Sequence, residues 1–345
     1  MKKTVILGLS GGLDSLVSAL LLKEKGWNVK ARYFNLWKDD KSAKQAQNLA
    51  EKLNIDFKII ELNKPFKDKI VNPFIQDYIK GETPNPCVWC NHQIKIYYLY
   101  QEMLNSNADS FATGHYVRIK KHISEYHIFK GIDNIKDQSY FLWSIKSKYL
   151  KHWLTPLGDY SKQEIREIAI KNKMGFLAHK KESMGICFIG KEGYHQFIQK
   201  HKPPNVEIKK GVILDLNNNI IGTHKGTPFY TIGQKKNLNL NNKQSVVVAI
   251  NANNNSLTVG ENNNLYVNEF RIRDYFFRNI EDITNSNIKV WVRGIGQNPQ
   301  KNCEIIIIDS LYLKIKLNDS AWALAKGQPV AFYIKDRLIG GGYIS

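Results

Sequence analysis

The sequence predicts an N-terminal α/β domain built on a parallel sheet, followed by two small all-β modules, the last of them a β-barrel. Three observations support this fold class. Strand and helix patterns alternate over residues 1 to about 115, which is typical of a parallel sheet with helices on both faces. A glycine-rich turn joins the first strand to the first helix. Beyond Pro203 and Pro204, short strand patterns separated by Asn and Gly turns replace the helical ones.

The elements of the α/β domain are predicted from the period of their apolar residues. The first helix should end before Gly26, because glycine readily adopts the left-handed conformation that closes a helix. The predicted strands are 4–9, 29–34, 57–62 and 108–113. The predicted helices are 15–25, 43–53, 65–80, 91–104 and 161–173, and a hairpin is expected over 117–131.

The region after the proline pair is predicted to contain strands only. These strands are 211–216, 245–250, 256–259, 288–292, 304–308, 311–317, 329–334 and 338–344. With the proline pair as a linker, we expect three domains, at 1–202, 203–268 and 269–345.

Composition narrows the class of protein. The 345 residues include 50 Lys and Arg against 31 Asp and Glu, a formal net charge of +19. This charge favours a polyanionic partner, nucleic acid first, although a codon bias towards Lys, Asn and Ile would also produce it. The 43% hydrophobic content is that of a globular protein and excludes a largely disordered, collagen-like or coiled-coil chain. Because no apolar run reaches the ~20 residues that span a bilayer and no signal-peptide pattern opens the chain, we expect a cytoplasmic protein without membrane attachment.

The glycine-rich turn has the features of a phosphate-binding loop. Small residues let the backbone wrap a phosphate, the following helix points free N–H groups at the anion, and two serines add hydroxyls. A carboxylate in the loop cannot bind phosphate directly, so it indicates a Mg²⁺ bridge to a nucleotide. The pattern is neither a Walker loop nor a dinucleotide fingerprint, and the alternative is a plain glycine turn with a capping serine. The loop residues are Gly8, Leu9, Ser10, Gly11, Gly12, Leu13, Asp14 and Ser15.

Two of the four cysteines form a Cys-x-x-Cys pair, Cys87 and Cys90. They precede the predicted helix at 91–104, for which Asn91 is a candidate cap, and a helix N-terminus stabilises a thiolate. Half of a zinc site and a redox pair are the alternatives for these two thiols. Four cysteines are too few to staple a secreted protein of this length.

The other two cysteines stand alone. Cys187 lies between Gly185 and Gly190 and is expected on a loop or short strand open to approach, although a cysteine between Ile and Phe is more often buried. Cys303 follows Asn-rich turns and is expected to be structural.

The motif SGGLDS resembles the PP-loop ATP pyrophosphatases, whose α/β domain is of the adenine nucleotide alpha hydrolase type. That superfamily cleaves ATP between the α- and β-phosphates and adenylates a carbonyl oxygen. The remaining motifs are similar to those of the tRNA-specific 2-thiouridylase family, and the resemblance spans essentially the whole chain. In order they are TPNPxxxCN at 83–91, ATGHY at 112–116, KDQSYFLW at 136–143, SMGICFIG at 183–190, FYTIGQKK at 229–236 and GGGYI at 340–344.

The resemblance implies an ATP- and Mg²⁺-dependent sulfurtransferase that converts the wobble uridine, position 34, of the tRNAs for Lys, Glu and Gln to 2-thiouridine. It implies that ATP binds at residues 8–15 with Phe34 and Gly114, with Mg²⁺ near Asp14 and no other protein-bound metal site. It implies that Cys90 is the nucleophile and Cys187 the persulfide carrier, with a transient Cys90–Cys187 disulfide. The implied contacts to the target base or the tRNA anticodon arm are Asn85, Pro86, Cys87, His115, Lys136, Asp137, Gln138, Arg293, Gly294 and Gln328.

The chain departs from the family pattern at position 87, which is commonly aspartate and is Cys87 here. Either the acid–base role lies elsewhere or a thiol serves. The sulfur donor is expected to be a sulfur-relay protein or a cysteine desulfurase. Two alternative functions remain open: another PP-loop ATP pyrophosphatase acting on a different RNA or small-molecule carbonyl, and a non-catalytic RNA-binding or redox module.

Overall fold

The computed structural model describes residues 2–37, 40–180, 185–190, 192–238, 240, 244–294 and 296–345. The chain forms two compact units. The first contains 1–69, 87–184 and 336–339, and the second contains 70–86, 185–335 and 340–345. The two units group residues that pack together in space, not residues that are consecutive in the chain. The predicted domain boundaries at 202 and 268 therefore stay a prediction.

The helices alternate with strands in the first part of the chain, as predicted. In chain order the α-helices are α1 (Leu13–Glu24), α2 (Asp40–Lys52), α3 (Asn63–Phe66), α4 (Asn72–Ile79), α5 (Pro86–Cys90), α6 (Tyr97–Asn105), α7 (Ser147–Leu150), α8 (Lys162–Lys171), α9 (Gly175–Ala178) and α10 (Gly193–His201). The π-helical turns are Lys67–Val71 and Asn91–Ile96. The 3₁₀ turns are Ser139–Leu142, Thr227–Phe229, Asn262–Leu265 and Ile280–Thr284.

A five-stranded parallel sheet organises the first unit, which confirms the predicted α/β class. Its order is β3-β2-β1-β4-β7. A separate antiparallel hairpin, β5 and β6, lies where it was predicted. The strands of this unit are β1 (Thr4–Gly8), β2 (Asn28–Asn35), β3 (Asp56–Glu61), β4 (Ser110–Ala112), β5 (Val117–His122), β6 (Glu125–Lys130) and β7 (Trp153–Leu154).

Helix α1 is buried on two sides, and this fixes the loop that precedes it. One side, with Leu16 and Leu22, belongs to the apolar cluster that contains the residues of β1, β2 and α2. The other side, with Val17 and Leu21, packs with Ile165 of α8. Burying an aliphatic side chain stabilises the fold by about 2 kcal/mol, so the two sides together hold α1 firmly against the sheet.

The predicted helices are correct in type and differ at their ends. The helix predicted at 65–80 contains the π-helical turn Lys67–Val71 between α3 and α4. The helix predicted at 91–104 begins earlier, at Pro86, because proline is favoured in the first turn of a helix. Helices α7 and α9 are four residues long, too short for a helical period to be visible in the sequence.

The second unit holds two β-sheets. The smaller sheet has the order β10-β11-β8-β9, with β11 and β8 parallel and the other pairs antiparallel. The larger has the order β13-β16-β17-β12-β15-β14, and its end strands β13 and β14 also approach each other, as a barrel requires. The strands are β8 (Gly211–Leu214), β9 (Ile220–His224), β10 (Val246–Asn251), β11 (Ser256–Gly260), β12 (Tyr266–Phe277), β13 (Ile288–Trp291), β14 (Cys303–Ile307), β15 (Tyr312–Trp322), β16 (Pro329–Ile334) and β17 (Arg337–Ile344). Residues 337–339 of β17 are assigned to the first unit.

The strand β12, which the sequence pattern did not predict, is the longest in the larger sheet. In its residues YVNEFRIRDYFF, charged and amide side chains interrupt the apolar and aromatic ones, so no regular apolar alternation is visible. A register shift between Arg273 and Phe276, with Asp274 at a φ of 49°, further interrupts the two-residue period of the strand.

Among the residues that the structure describes, no helix combines the length and the apolar composition needed to cross a membrane.

A buried arginine ties β2 to α6 and leads to a stability prediction. Arg32 is 6% exposed, and its guanidinium bonds Glu102 at 3.0 Å and Asp56 at 3.2 Å. Removing one partner of a buried ion pair leaves the other charge uncompensated. We expect Arg32→Met to lower the free energy of unfolding by about 2 kcal/mol, since Asp56 is partly solvated.

Urea unfolding of the full chain measures this loss. Lys64→Met is the control, because the Lys64–Asp68 pair lies in solvent and contributes little. Equal midpoints for the two variants would show that the Arg32 pairs do not stabilise the first unit.

Candidate active site

The glycine-rich loop lies at the carboxyl end of β1, where ligands of parallel sheets bind. Leu9 is buried, and its N–H donates to the Arg32 carbonyl at 2.9 Å, which ties the loop to β2. The Ser10 N–H donates to Ser15 Oγ at 3.2 Å, and the Ser15 hydroxyl donates to the Gly12 carbonyl at 3.0 Å. The two serine hydroxyls lie 3.2 Å apart. The loop is therefore closed on itself, with its hydroxyls together at the start of α1.

Two glycines allow close packing around this loop. Gly11 has a φ of +81°, and a Cβ there would lie 3.2 Å from the Ala46 nitrogen and 3.3 Å from the Ser42 carbonyl of α2. A Cβ on Gly114 would lie 3.1 Å from the Asp14 carbonyl carbon. The structure therefore places Gly114 directly against the loop, and any larger residue would displace Asp14.

The Asp14 carboxylate is held by two donors from distant parts of the chain. Its Oδ1 accepts a hydrogen bond from the Tyr116 hydroxyl and another from Lys162 Nζ, each at 2.7 Å. The Lys162 side chain is 8% exposed, whereas that of Asp14 is 38% exposed. The ammonium neutralises a carboxylate that would otherwise repel an anion at the N-terminus of α1.

Lys162 is a residue of this site that no sequence motif indicates. A capping box begins α8: the Ser161 side chain accepts from the Glu164 N–H, and the Glu164 carboxylate accepts from the Ser161 N–H. The backbone N–H of Lys162 also donates to Asp133 at 2.9 Å. The helix predicted at 161–173 includes this start, but no local signal indicates that its first lysine reaches Asp14.

The arrangement can bind a phosphate chain. Gly12 precedes α1 and has no side chain to cap it, so the first N–H groups of the helix are available to an anion. Phe34 lies at the carboxyl end of the neighbouring strand β2, with its ring edge-on to Tyr98. The site also fits Mg²⁺. Proteins usually hold this ion through one or two carboxylates, and nucleotide phosphates supply other ligands. Asp14 would be the carboxylate ligand here.

The two neighbouring cysteines lie inside a helix rather than before one. α5 runs from Pro86 to Cys90, so the expectation that Asn91 caps the following helix is wrong. Asn91 lies in the π-helical turn that continues α5, and its side-chain amide donates to the Phe141 carbonyl at 3.3 Å. Cys87 is exposed and Cys90 is buried. In the described part of the chain, no three His, Cys, Asp or Glu side chains are grouped so as to hold a metal ion.

Cys187 lies in a turn of the second unit and is exposed. The next residue, Phe188, is buried against Phe74 and Phe197, with ring centroids 5.3 Å away in each case, so it anchors the turn. Residues 181–184, which include the start of the SMGICFIG motif, lie outside the described residues. Cys90 belongs to the first unit and Cys187 to the second.

The TPNP segment of the second unit is anchored on its N-terminal side. The Thr83 N–H donates to the Lys326 carbonyl, and the Thr83 and Thr231 hydroxyls are hydrogen-bonded, each at 2.7 Å. Glu82 accepts from Arg273 at 2.6 Å. Asn85 is half-buried and Pro86 is buried, and both follow closely after Thr83. The hydrogen bonds of Glu82 and Thr83 therefore fix the position of the backbone that leads into Asn85 and Pro86.

Two residues of the KDQ segment, Lys136 to Gln138, make hydrogen bonds within the protein. Buried Asp137 accepts from the Ser139 hydroxyl at 2.6 Å and from the Gly131 N–H at 3.0 Å. Burial raises the pKa of Asp137, and these bonds oppose the rise. Gln138 accepts from the Tyr116 N–H at 3.1 Å, and Lys136 is half-buried. Gln138 therefore holds the Tyr116 backbone and Asp137 holds Gly131 and Ser139, and the contacts of all three residues to tRNA stay a prediction.

Arg293 is engaged with the β-region of its own unit. Its guanidinium lies 4.8 Å from the Trp322 ring and donates to the Ala323 carbonyl at 2.9 Å. Gly294 follows in a bend, and the backbone of Gln328 is fixed by Ala325 and Ile344. A contact from these residues to tRNA likewise stays a prediction.

The burial of the cysteines predicts their order of alkylation. Burial raises the pKa of the Cys303 thiol to about 12, so almost none of it is thiolate near neutral pH. We expect iodoacetamide at about pH 8 to modify Cys187 and Cys87 at least ~100-fold faster than Cys303. Peptide mass spectrometry over time measures the rates, and the protein in urea, where all four should react alike, is the control. Comparable rates for Cys303 and Cys187 in the folded protein would contradict the assigned burial.

Three family models match consecutive parts of the chain. They are the tRNA methyl transferase HUP domain at residues 3–191, the tRNA methyl transferase PRC-barrel domain at 195–261 and the Aminomethyltransferase beta-barrel domain at 267–344.

Curated relatives match over the full length. The chain is 38% identical over 353 residues to tRNA-specific 2-thiouridylase MnmA 1 of Clostridium botulinum (strain Okra / Type B1), covering 99% of this chain and 98% of that protein. It is 35% identical over 361 residues to tRNA-specific 2-thiouridylase MnmA of Clostridioides difficile (strain 630), covering 100% and 98%. Because this identity extends over essentially every residue of both chains, the protein belongs to the tRNA-specific 2-thiouridylase family.

Proposed function

We propose that the protein is an ATP-dependent tRNA sulfurtransferase that converts uridine 34 of the tRNAs for Lys, Glu and Gln to 2-thiouridine, releasing AMP and pyrophosphate. The observation that carries this proposal is the full-length similarity to proteins named as tRNA-specific 2-thiouridylases. The geometry of the loop around Asp14 supports the ATP-dependent half of the reaction.

The first step activates the base. The 2-oxygen of uridine is a poor leaving group, so it attacks the α-phosphorus of ATP, the bond to pyrophosphate breaks, and the oxygen becomes part of an adenylate. Residues 8–15, with Phe34 and Gly114, hold the nucleotide. N–H groups and hydroxyls fixed before the reaction stabilise the charge that develops on the phosphates. When bound with ATP, Mg²⁺ near Asp14 would neutralise phosphate charge.

The second step delivers sulfur. Cys187 carries a persulfide, and the Cys90 thiolate attacks its inner sulfur. A Cys90–Cys187 disulfide forms, the outer sulfur bonds to C2 of the base, and AMP departs with the original oxygen. Cys90 can alternatively release sulfide first. A disulfide requires Cα atoms within about 7 Å, and a thiol reductant must restore both thiols before the next turnover.

The negatively charged phosphates of the tRNA are the binding partner that the net positive charge of this chain favours. We assign base contact to Asn85, Pro86 and Cys87, and tRNA contact to His115, Lys136, Asp137, Gln138, Arg293, Gly294 and Gln328. The target base must leave its stack to reach Cys90. Phosphate contacts by lysines make the affinity fall as salt rises. A sulfur-relay protein or cysteine desulfurase of the cytoplasm loads Cys187, and the domain boundaries at 202 and 268 belong to the same proposal.

Nucleoside mass spectrometry of the product tests the function directly. We expect unthiolated tRNA-Lys, -Glu or -Gln, incubated with the protein, a persulfide donor and a reductant, to gain 2-thiouridine at position 34 only when Mg-ATP is present. Cys90→Ala and Cys187→Ala should abolish the product, whereas Cys303→Ala, a change at the buried cysteine of β14, should retain it. Pyrophosphate release without any thiolated nucleoside from the three tRNAs would point instead to another carbonyl substrate.

The ion pair at Asp14 leads to a second prediction. In Lys162→Met the Asp14 charge loses its counter-ion and repels the phosphates. We expect KM for ATP to rise about tenfold, the equivalent of one charge-assisted hydrogen bond, with a smaller effect in Lys162→Arg.

Tyr116→Phe should cause a smaller rise in KM, because the hydroxyl it loses is neutral. Lys171→Met is the matched control, since Lys171 is exposed in the last turn of the same helix. An unchanged KM for ATP in Lys162→Met would remove Lys162 from the nucleotide site.

A further inference from the structure

A buried chain of three side chains ends at His115. The Trp153 indole N–H donates to Thr113 Oγ1 at 2.9 Å, and Thr113 Oγ1 lies 2.8 Å from His115 Nδ1. Trp153, Thr113 and His115 are 2%, 6% and 9% exposed. Phe111 stacks on Trp153 with 10° between the ring planes, and this holds the indole in place.

The chemistry of these groups assigns the protons. An indole N–H only donates, so Thr113 Oγ1 accepts from Trp153. The threonine hydroxyl must then place its own proton on an acceptor. Among the described residues, the partner that remains for this hydroxyl is His115 Nδ1. Nδ1 therefore accepts and carries no proton, and the proton of the neutral ring lies on Nε2.

The surroundings keep the ring neutral. Burial lowers the pKa of His115 to about 3, and the charge of Lys95 acts in the same direction. The ring lies edge-on to Trp153 at a centroid distance of 5.8 Å. No described residue accepts a hydrogen bond from Nε2, so a nearly buried side chain presents a donor that the protein does not satisfy.

The position of this donor connects it to the proposed reaction. His115 lies between Gly114 and Tyr116, both of which contact Asp14. A neutral imidazole N–H can polarise an oxygen acceptor without adding a positive charge. The described buried polar atoms without a partner do not include His115 Nε2, so its N–H is accessible and a bound oxygen can accept from it.

We propose that Thr113 and Trp153 are positioning residues that hold His115 as the Nε2–H tautomer, so that its N–H donates to an oxygen of the RNA substrate. The role of the N–H rests on the proposed function, whereas the tautomer does not. His115 would therefore act as a neutral donor and not as a cation that pairs with phosphate or as a general base.

Long-range ¹H–¹⁵N spectra of the full chain labelled at histidine test the tautomer. His115→Gln identifies the His115 signals among the nine histidines. We expect a protonated Nε2 and an unprotonated Nδ1, with no titration between about pH 5.5 and 8. A proton on Nδ1, or a titration in that range, would overturn the proposal.

Substitutions at Thr113 test the role in turnover. Thr113→Val keeps the shape but removes the hydroxyl, and we expect a mixture of tautomers and an about tenfold fall in kcat for thiolation, with KM for ATP unchanged. Thr113→Ser should restore both. Ser110→Ala, a polar-to-apolar change in the preceding strand β4, is the control for folding and should behave like wild type in thermal unfolding and in rate.

The outcomes separate this proposal from the proposed function. If wild type makes no 2-thiouridine, the function and the role of the N–H both fail, and the spectrum still decides the tautomer. If wild type is active and Thr113→Val keeps full kcat, or Thr113→Ser is as slow as Thr113→Val, Thr113 is not a positioning residue.

Discussion

The first unit depends on one constraint: a carboxylate stands in the first turn of a helix whose N-terminal N–H groups have no side-chain cap and lie at the proposed nucleotide site. Asp14 satisfies this constraint by binding Lys162 and Tyr116 through a single oxygen. Charge-assisted hydrogen bonds of this kind are worth about 1.5–3 kcal/mol, comparable to a buried aliphatic side chain. They join α1, the start of α8 and the segment after β4, so the glycine-rich loop is positioned by elements from across the first unit.

The segment after β4 divides its side chains between two tasks. Gly114 and Tyr116 meet Asp14, whereas Thr113 and His115 meet each other beside Trp153. Four consecutive residues therefore support the glycine-rich loop on one side and, in the proposal above, present a neutral donor on the other. This arrangement explains in physical terms why the ATGHY motif contains a glycine, a threonine and a tyrosine around its histidine, since each has a specific contact.

The parts of the site that depend on local sequence were predictable, and those that depend on long-range contacts were not. The loop followed from small residues between a strand and a helix, and β5 and β6 followed from alternation. Lys162 is separated from Asp14 by 148 positions, and no local pattern indicates that contact. Asn91 is a residue type that favours a helix start, but the helix already begins at Pro86, because proline is favoured in the first turn. β12 was missed because charged residues on a barrel strand conceal its period of two.

The central claim is that ATP activates the 2-oxygen of the base itself, and the fate of that oxygen tests it most directly. The measurement uses tRNA carrying ¹⁸O at the 2-position of uridine 34, one turnover with ATP and a persulfide donor, and mass spectrometry of the released nucleotides. The account predicts one ¹⁸O in AMP and none in pyrophosphate for each 2-thiouridine formed. Thiolated tRNA accompanied by unlabelled AMP would contradict it, because the oxygen would then have left by a route that does not pass through an adenylate.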